Sequence, residues 1–376
     1  MAYFKNQSEL NSFLADINSF SLRTLAPIAR KADRNSKLPS KEIISLFKEK
    51  GIWNCGRPEK WGGMGLSFSE YWRVIAEIAL TGRAITMLFH GRNTGNWRML
   101  EAFGNEEQKQ RYLGEIMLNF CLTERNAGSG MDIKTYGKQK NNMWYLNGEK
   151  YLASYADVVD AFGIIAWSNL EKKEVSIFIA QKDATGLSYK SMGNSMGARG
   201  SIHGIITLKN AEVPAKDVIY IGSMQNILDF LDISRASIAA QSLGICRRCY
   251  LLAVEYAKKR ETFGRPISSR QAVRSMIAEM AIYLYALENC IVDTARKIDT
   301  GLGIRREAAS CKRLAIETIR RVTDNAFLIH GGRGYWNEFP IEMLYRDARA
   351  MWFEEGTQHI QEMVISREVV SNPQWW

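Results

Sequence analysis

The order of two hydrophobic periodicities along the chain constrains its fold more than any other feature of the sequence. Apolar residues recur at helical spacing through roughly the first 115 residues, and again from about residue 225 to the end. Between these regions, residues 117–222 alternate apolar and polar side chains in short runs, which is typical of antiparallel strands. This order excludes a fold of alternating strands and helices, and no GxGxxG motif follows a strand. We therefore predict an α+β multidomain protein.

The length of 376 residues indicates more than one domain, because single hydrophobic cores rarely grow that large. We predict an N-terminal α-helical domain over 1–116, a middle antiparallel β-barrel-like domain over 117–224, and a C-terminal four-helix bundle over 225–376. The bundle prediction rests on an apolar stripe at spacings of three and four within Val273–Ile291. In the middle domain, Asn147–Gly148 is predicted to form a hairpin turn.

The formal net charge of +10 comes from 50 basic and 40 acidic residues that are spread along the chain. A nucleic-acid-binding tail would concentrate this excess, so we predict no nucleic-acid partner. The densest basic stretch, Arg30–Lys41, has the composition of a solvated helix face or loop, although it leaves an anionic partner open.

The cysteines and the N-terminus indicate a reduced, cytoplasmic protein. Cys246 and Cys249 form a CxxC, but it lies inside an apolar helical run without a second pair, and the four histidines are scattered. We therefore predict no metal site. The first twenty residues lack the basic and apolar segments of a signal peptide, and with no run of 18 apolar residues we expect no membrane span.

Eight short motifs follow each other along the chain. They are Pro58–Leu66, Leu122–Ser129, Asn147–Lys150, Met196–Ser201, Arg260–Gly264, His330–Tyr335, Tyr345–Arg349 and Glu355–Thr357. Each is a weak signal alone. In this order, and with the helix–strand–helix layout, the chain resembles the acyl-CoA dehydrogenase flavoproteins over essentially its whole length. The resemblance implies an FAD-dependent α,β-dehydrogenation of an acyl thioester, carried on coenzyme A or on an acyl carrier protein.

The resemblance implies that Glu355 is the catalytic base, which removes the α-proton while the flavin N5 accepts a hydride from the β-carbon. A carboxylate followed by glycine suits this task, because Gly356 allows close approach of the thioester and offers an unobstructed N–H. Glu354 adjoins the base, so the two carboxyl groups could titrate together. Some relatives keep the base just before the arginine in the segment matching Asp232–Arg235, but here Ser234 stands there and leaves the role to Glu355.

The resemblance also implies the residues that bind FAD and substrate. Those for FAD are Leu122, Thr123, Ser129, Leu152, Ser154, Arg260, Phe263, Gln271, Leu328, Gly331, Gly332, Thr357 and His359. Those for the substrate are Ser129, Asp232, Arg235 and Gly356. Arg260, Phe263 and Gln271 match residues that reach the FAD of a neighbouring subunit, which implies a homodimer or homotetramer. The implied electron acceptor is an electron-transfer flavoprotein or a similar carrier.

Two alternatives stay open at this point. A flavin-dependent monooxygenase on the same fold needs no carboxylate at position 355, so Glu355 argues against it. A catalytically silent FAD-binding relative would have lost flavin contacts, and Leu152 and Leu328 stand where relatives often carry an aromatic and a polar residue. The net charge does not decide between coenzyme A and a carrier protein, because both are anionic.

Overall fold

The computed structural model describes residues 3–128 and 132–374. It confirms the predicted order of an N-terminal helical region, a middle sheet and a C-terminal helical region. The first region contains seven α-helices within its described residues: α1 Gln7–Phe20, α2 Ala26–Asn35, α3 Ser40–Glu49, α4 Phe68–Ile78, α5 Arg83–Asn93, α6 Asn96–Phe103 and α7 Glu106–Tyr112. The start of α4 is fixed by a capping box, in which Ser67 and Glu70 each satisfy a backbone N–H of the other.

The middle region forms a sheet of eight strands: β1 Leu118–Cys121, β2 Tyr136–Lys140, β3 Met143–Ser154, β4 Ala161–Asn169, β5 Glu174–Gln181, β6 Leu187–Ser191, β7 His203–Pro214 and β8 Val218–Gly222. Their spatial order is β6-β7-β3-β2-β4-β5-β8, and β1 lies beside β4. The pairing is largely antiparallel, as the sequence predicts. The exceptions are β1 and β2, which both pair with β4 in parallel.

The predicted hairpin turn at Asn147–Gly148 is wrong, because both residues lie inside β3. The chain reverses earlier, at Asn141, which has the left-handed φ of 55° that a tight turn requires. The Asn147–Gly148 pair instead accommodates a shift of register against β7. There the Asn147 side chain bonds to Asn210, and a Cβ at Gly148 would come within 2.5 Å of the Thr135 hydroxyl.

The C-terminal region contains the long helices α8 Met224–Lys259, α9 Gln271–Asp299 and α10 Arg305–His330, followed by α11 Ile341–Ala348 and α12 Gln358–Ser371. A small hairpin of β9 Glu261–Thr262 and β10 Arg265–Pro266 joins α8 to α9. Among the described helices, α9 alone has the length and composition that would let a helix cross a membrane. It contacts α8 and α10, and 17% of its apolar stretch is buried, with Leu287 and Ile291 fully so.

The three regions share one hydrophobic core. Ile75 of α4, Phe178 of β5 and Leu243 of α8 belong to the same cluster of fully buried residues. Helix α8 crosses α4 closely at Gly244, where a Cβ would come within 2.1 Å of a backbone carbonyl. The buried carboxylate of Asp347 on α11 accepts from the backbone N–H groups of Arg83 and Ala198 at 2.8 and 2.6 Å. One acid therefore ties all three regions together.

Candidate functional site

Glu355 lies in a sharp backbone turn just before α12. Its φ of 56° and the φ of 99° at Gly356 place two consecutive residues in the left-handed region, which suits glycine but strains a glutamate. The amide of Gln361 donates to the carbonyl oxygens of both residues, at 2.9 and 3.1 Å. A Cβ at Gly356 would come within 2.8 Å of that amide. The first turn of α12 therefore holds the strained turn in place.

Helix α8 supplies the groups that face Glu355. The Ser234 hydroxyl donates to Oε1 of Glu355 at 2.7 Å, and Nε of Arg235 donates to the Glu355 backbone carbonyl at 3.3 Å. Arg235 also forms a buried ion pair with Asp232, with 2.5 Å between Nη1 and Oδ1. The structure thus brings the predicted base together with two predicted substrate-binding residues. A further predicted substrate-binding residue, Gly356, adjoins the base. Its N–H donates to the Phe353 carbonyl at 3.2 Å, so the prediction that this N–H is unobstructed is wrong.

A second group of charges surrounds Glu354. Arg83 of α5 binds the Glu354 carboxylate through both Nε, at 3.0 Å, and Nη2. Its Nη1 donates to the Gln241 side chain at 2.6 Å. On the α10 side, the fully buried Lys312 donates to the Met351 carbonyl at 2.5 Å. The acid next to the base is therefore committed to an ion pair of its own.

Opposing influences act on the pKa of Glu355. Burial raises it and outweighs the Ser234 hydrogen bond and the positive charges of Arg235 and Lys312, while Glu354 raises it further. Burial also lowers the pKa of Lys312, to about 8. A carboxylate whose pKa is raised is a stronger base than an ordinary glutamate once it is ionised. The turn therefore presents a basic group that the surrounding donors keep oriented.

A bulge in β3 lies near this turn. The register of β3 against β7 shifts around Leu152, which has a left-handed φ of 61° and a side chain that is 44% exposed. Two residues later, Ser154 pairs with His203 of β7. Burial lowers the pKa of His203, and the negative charge of Glu354 opposes that effect, so this end of β3 lies within electrostatic reach of the acidic turn. The bulge thus exposes the Leu152 side chain two residues before the Ser154 hydroxyl.

The loop after β1 is tied to the same strand. Nζ of Lys150 donates to the Leu122 carbonyl at 3.0 Å, and the Tyr151 N–H donates to the Thr123 carbonyl at 2.8 Å. Leu122 and Thr123 are therefore brought close to the β3 bulge. Ser129, which was predicted for both FAD and substrate, lies outside the described residues.

Another group of predicted cofactor residues surrounds a cleft of about 550 Å³ at the ends of α8 and α10, which is lined by Arg260, Gly331 and Gly332 among others. Beside it, Phe263 occupies the tight turn between β9 and β10 and is 96% exposed, and Leu328 is 64% exposed. Gln271 begins α9 at the base of the same hairpin. Thr357 and His359 lie apart from this cleft, at the exposed start of α12, where Nδ1 of His359 is 3.1 Å from Glu362.

Comparison with known proteins decides the family. Models of the N-terminal, middle and C-terminal domains of acyl-CoA dehydrogenase match residues 7–118, 119–211 and 224–370. The chain belongs to the acyl-CoA dehydrogenase family. It is 31% identical to "3-(aryl)acrylate reductase" of Clostridium sporogenes, with 98% of this chain and all of the relative covered. It is 32% identical to "Probable acyl-CoA dehydrogenase YngJ" of Bacillus subtilis, with 94% of this chain and 96% of the relative covered.

Solved structures agree with this assignment. The butyryl-CoA dehydrogenase of Megasphaera elsdenii superposes with a TM-score of 0.91 at 27% identity, covering 98% of this chain and 99% of that one. A chain from a structural study of an electron transferring flavoprotein of Acidaminococcus fermentans superposes with a TM-score of 0.93 at 28% identity. The match covers 98% of this chain and 100% of that one. The chain is therefore an oxidoreductase of the class that acts on CH–CH bonds.

The residues of this chain fit FAD, on which its family depends. A flavin ring needs an apolar contact together with hydrogen-bonding groups at its edge, and exposed Leu152 beside Ser154 and Thr123 offers both. The pyrophosphate needs positive charge and close backbone, which Arg260 and the two glycines of the cleft provide. No group of three His, Cys, Asp or Glu side chains that could hold a metal ion occurs in residues 3–128 and 132–374.

Several residues around the base were not found by sequence reasoning. Arg83 and His90 come from α5, and Lys312 comes from α10, far from Glu355 along the chain. None lies in a motif that marks the family. One signal was legible in the polar spacing of Arg83, Thr86, His90 and Thr94 on one helix face. A second was Lys312, the single lysine of α10, which stands at helical spacing from Ala308, Ala315 and Ile319.

Proposed function

We propose that the chain is an FAD-dependent acyl-thioester dehydrogenase in which Glu355 removes the α-proton. The observation that carries this proposal is the carboxylate of Glu355, which is held by the Ser234 hydroxyl at 2.7 Å with its pKa raised by burial. A monooxygenase would have no use for a basic carboxylate at this place. A silent relative would not need to hold a strained, left-handed glutamate in a fixed orientation.

The chain's own residues carry the following steps. The ionised Glu355 takes the proton from the carbon next to the thioester carbonyl, and Gly356 without a Cβ lets that carbon approach. The Asp232–Arg235 pair fixes the Glu355 backbone through the bond from Nε, so the carboxylate does not drift from its position. Bound FAD would supply the acceptor for the β-hydride, with Leu152, Ser154, Leu122 and Thr123 against its ring.

The opposite direction, reduction of an α,β-unsaturated thioester, is the second candidate. It is favoured by the names of two relatives, "3-(aryl)acrylate reductase" and the "Caffeyl-CoA reductase-Etf complex subunit CarC" of Acetobacterium woodii, the latter 29% identical over 97% of this chain. In this direction Glu355 would deliver the α-proton instead of removing it. The second name also supports an electron-transfer flavoprotein as the redox partner of this chain.

Anaerobic titration of the purified yellow protein tests the proposal. Saturated and α,β-unsaturated acyl thioesters are added in parallel, on coenzyme A and on acyl carrier protein, to the oxidised and the reduced enzyme. We expect one saturated thioester to bleach the oxidised flavin, and the matching unsaturated thioester to restore the colour of the reduced flavin. The ratio of the two rates identifies the favoured direction. If none of the thioesters bleaches the flavin and oxygen rapidly reoxidises the reduced enzyme, the monooxygenase is favoured.

The separation of the predicted cofactor residues into two groups supports a site shared between subunits. We propose a homodimer or homotetramer in which Arg260, Phe263 and Gln271 reach the FAD of a neighbouring subunit. Phe263 and Leu328 expose large apolar side chains, each next in sequence to a residue that lines the cleft, and a neighbouring subunit would cover them.

Replacing Arg260 with alanine should weaken FAD retention by roughly tenfold or more, because the pyrophosphate loses a charged hydrogen-bond partner. The measurement is the fraction of FAD that remains after gel filtration at decreasing protein concentration. Arg296→Ala is the matched control, since Arg296 lies on the exposed far end of α9 and pairs only with Asp293 among the ion pairs described. A verified monomer that keeps FAD as tightly as the wild type would contradict the shared site.

A further inference from the structure

A series of polar side chains leads from Glu355 into the contact between α5 and α8. The Ser234 hydroxyl, which donates to Glu355, lies 3.2 Å from Nε2 of His90. On the other side of the ring, Nδ1 lies 3.0 Å from the hydroxyls of both Ser237 and Thr94. Ser234, Ser237 and Thr94 are all buried. The imidazole therefore bridges the two helices directly behind the proposed base.

The ionised carboxylate fixes the direction of these hydrogen bonds. A carboxylate only accepts, so the Ser234 hydroxyl donates to Glu355 and its oxygen is left to accept from His90. The proton of the ring then lies on Nε2, and Nδ1 accepts from Thr94 or Ser237. Burial lowers the pKa of His90 to about 3, which keeps the ring neutral and able to donate on one side while it accepts on the other.

Ser234 has a competing acceptor inside its own helix. Serine hydroxyls in helices commonly donate to the carbonyl four residues earlier, which for Ser234 is that of Phe230. Ser242 of the same helix does so, with its hydroxyl 2.9 Å from the Ile238 carbonyl. Ser234 instead donates out of the helix. Two contacts distinguish Ser234 from Ser242: the Glu355 carboxylate, which accepts from its hydroxyl, and the ring nitrogen of His90, which lies on the other side of the hydroxyl oxygen.

We propose that His90 is a positioning residue for Glu355, because its Nε2–H holds the Ser234 hydroxyl in the orientation that donates to the carboxylate. The inference rests on the proposed function, since the orientation matters to the reaction only if Glu355 is the base. Without the imidazole the hydroxyl turns to the carbonyl of its own helix, the carboxylate loses a donor, and the protonated form is favoured.

Other charged groups act on the same carboxyl and are left unchanged by substitution of His90. Those that act on Glu355 are Arg235 on α8, Lys312 on α10 and the adjacent Glu354, which is itself paired with Arg83 of α5. The charge that acts on His90 itself is that of Arg83, and Tyr71 of α4 reaches the ring through Thr94. A shift in the titration of Glu355 can therefore be assigned to the lost hydrogen bond.

The test compares His90→Leu with His90→Gln, whose side-chain amide places an N–H near the position of Nε2. Flavin bleaching by an active thioester is followed against pH under anaerobic conditions. We expect His90→Leu to move the acid limb of the profile up by about one pH unit, which is about a tenfold loss on that limb and little change on the high-pH plateau. His90→Gln should restore most of the wild-type profile. A uniform loss at every pH would show a merely structural role and overturn the proposal.

A second measurement does not depend on turnover. The carboxyl of Glu355 is titrated by pH-difference infrared spectroscopy on the FAD-loaded protein, and its band is identified by its absence in Glu355→Gln. We expect the band to titrate higher in His90→Leu and in Ser234→Ala, and the double variant to equal Ser234→Ala. If His90→Leu raised the titration of the band in the Ser234→Ala background by as much as it does in the wild type, the inference would be overturned. If no thioester reacts but the band shifts as expected, the proposed function fails while the positioning contact stands.

Discussion

Replacing Glu355 with glutamine should slow thioester-dependent flavin bleaching by roughly 10²–10⁴-fold and leave the FAD bound. The amide fills the same space and can still accept from the Ser234 hydroxyl, so the turn and its hydrogen bonds with Gln361 have no reason to change. What is lost is the basicity of the carboxylate, since a neutral amide oxygen is too weak a base to take the α-proton. Single-turnover stopped-flow absorbance under anaerobic conditions measures this loss directly.

The matched control for this substitution is Glu171→Gln. Glu171 is exposed in the turn between β4 and β5 and takes part in none of the ion pairs described. The control should bleach within about twofold of the wild type, because its charge is exposed and screened. If Glu355→Gln bleached as fast as this control, another group would have to be the base.

The broad organisation of the protein could be predicted because it depends on local patterns. The two periodicities identify the helices and strands, and the motif order identifies the family. The resemblance pointed to the segment Asp232–Arg235, but the hydrogen bonds of Glu355 could not be predicted in the same way. Ser234 is 121 residues from the base, and His90 reaches it only through the contact between α5 and α8. Hydrogen bonds of this kind depend on how helices cross, which periodicity does not fix.

The failed hairpin shows how tertiary structure overrides a strong local signal. Asn147–Gly148 is the preferred dipeptide for a tight turn, because both residues tolerate positive φ. A bulge needs the same tolerance, and here β7 is available to pair on both sides of it. The sequence signal for unusual backbone was therefore right, and its assignment to a turn was wrong.

A buried ion pair beneath the β3 bulge carries the second large effect. The Lys150 side chain is fully buried, and its Nζ lies 2.9 Å from Oε1 of Glu124. Glu124 also accepts from the Thr135 hydroxyl at 2.5 Å and from the Lys134 N–H at 2.6 Å. The same ammonium donates to the Leu122 carbonyl, so it holds the predicted flavin-facing loop against β3.

Lys150→Met should lower the free energy of unfolding by about 3–5 kcal/mol, because it leaves the Glu124 carboxylate buried without its cation. Urea unfolding followed by tryptophan fluorescence measures the change. The control is Lys140→Met on the exposed end of β2, whose free energy of unfolding should lie within about 0.5 kcal/mol of the wild type. Adding Glu124→Gln should recover part of the loss, since a neutral amide costs less to bury than an unpaired carboxylate. FAD retention should stay reduced even then, because the Leu122 carbonyl still lacks its donor. Full recovery of FAD retention in the double variant would show that Lys150 acts on Glu124 alone and does not position the loop.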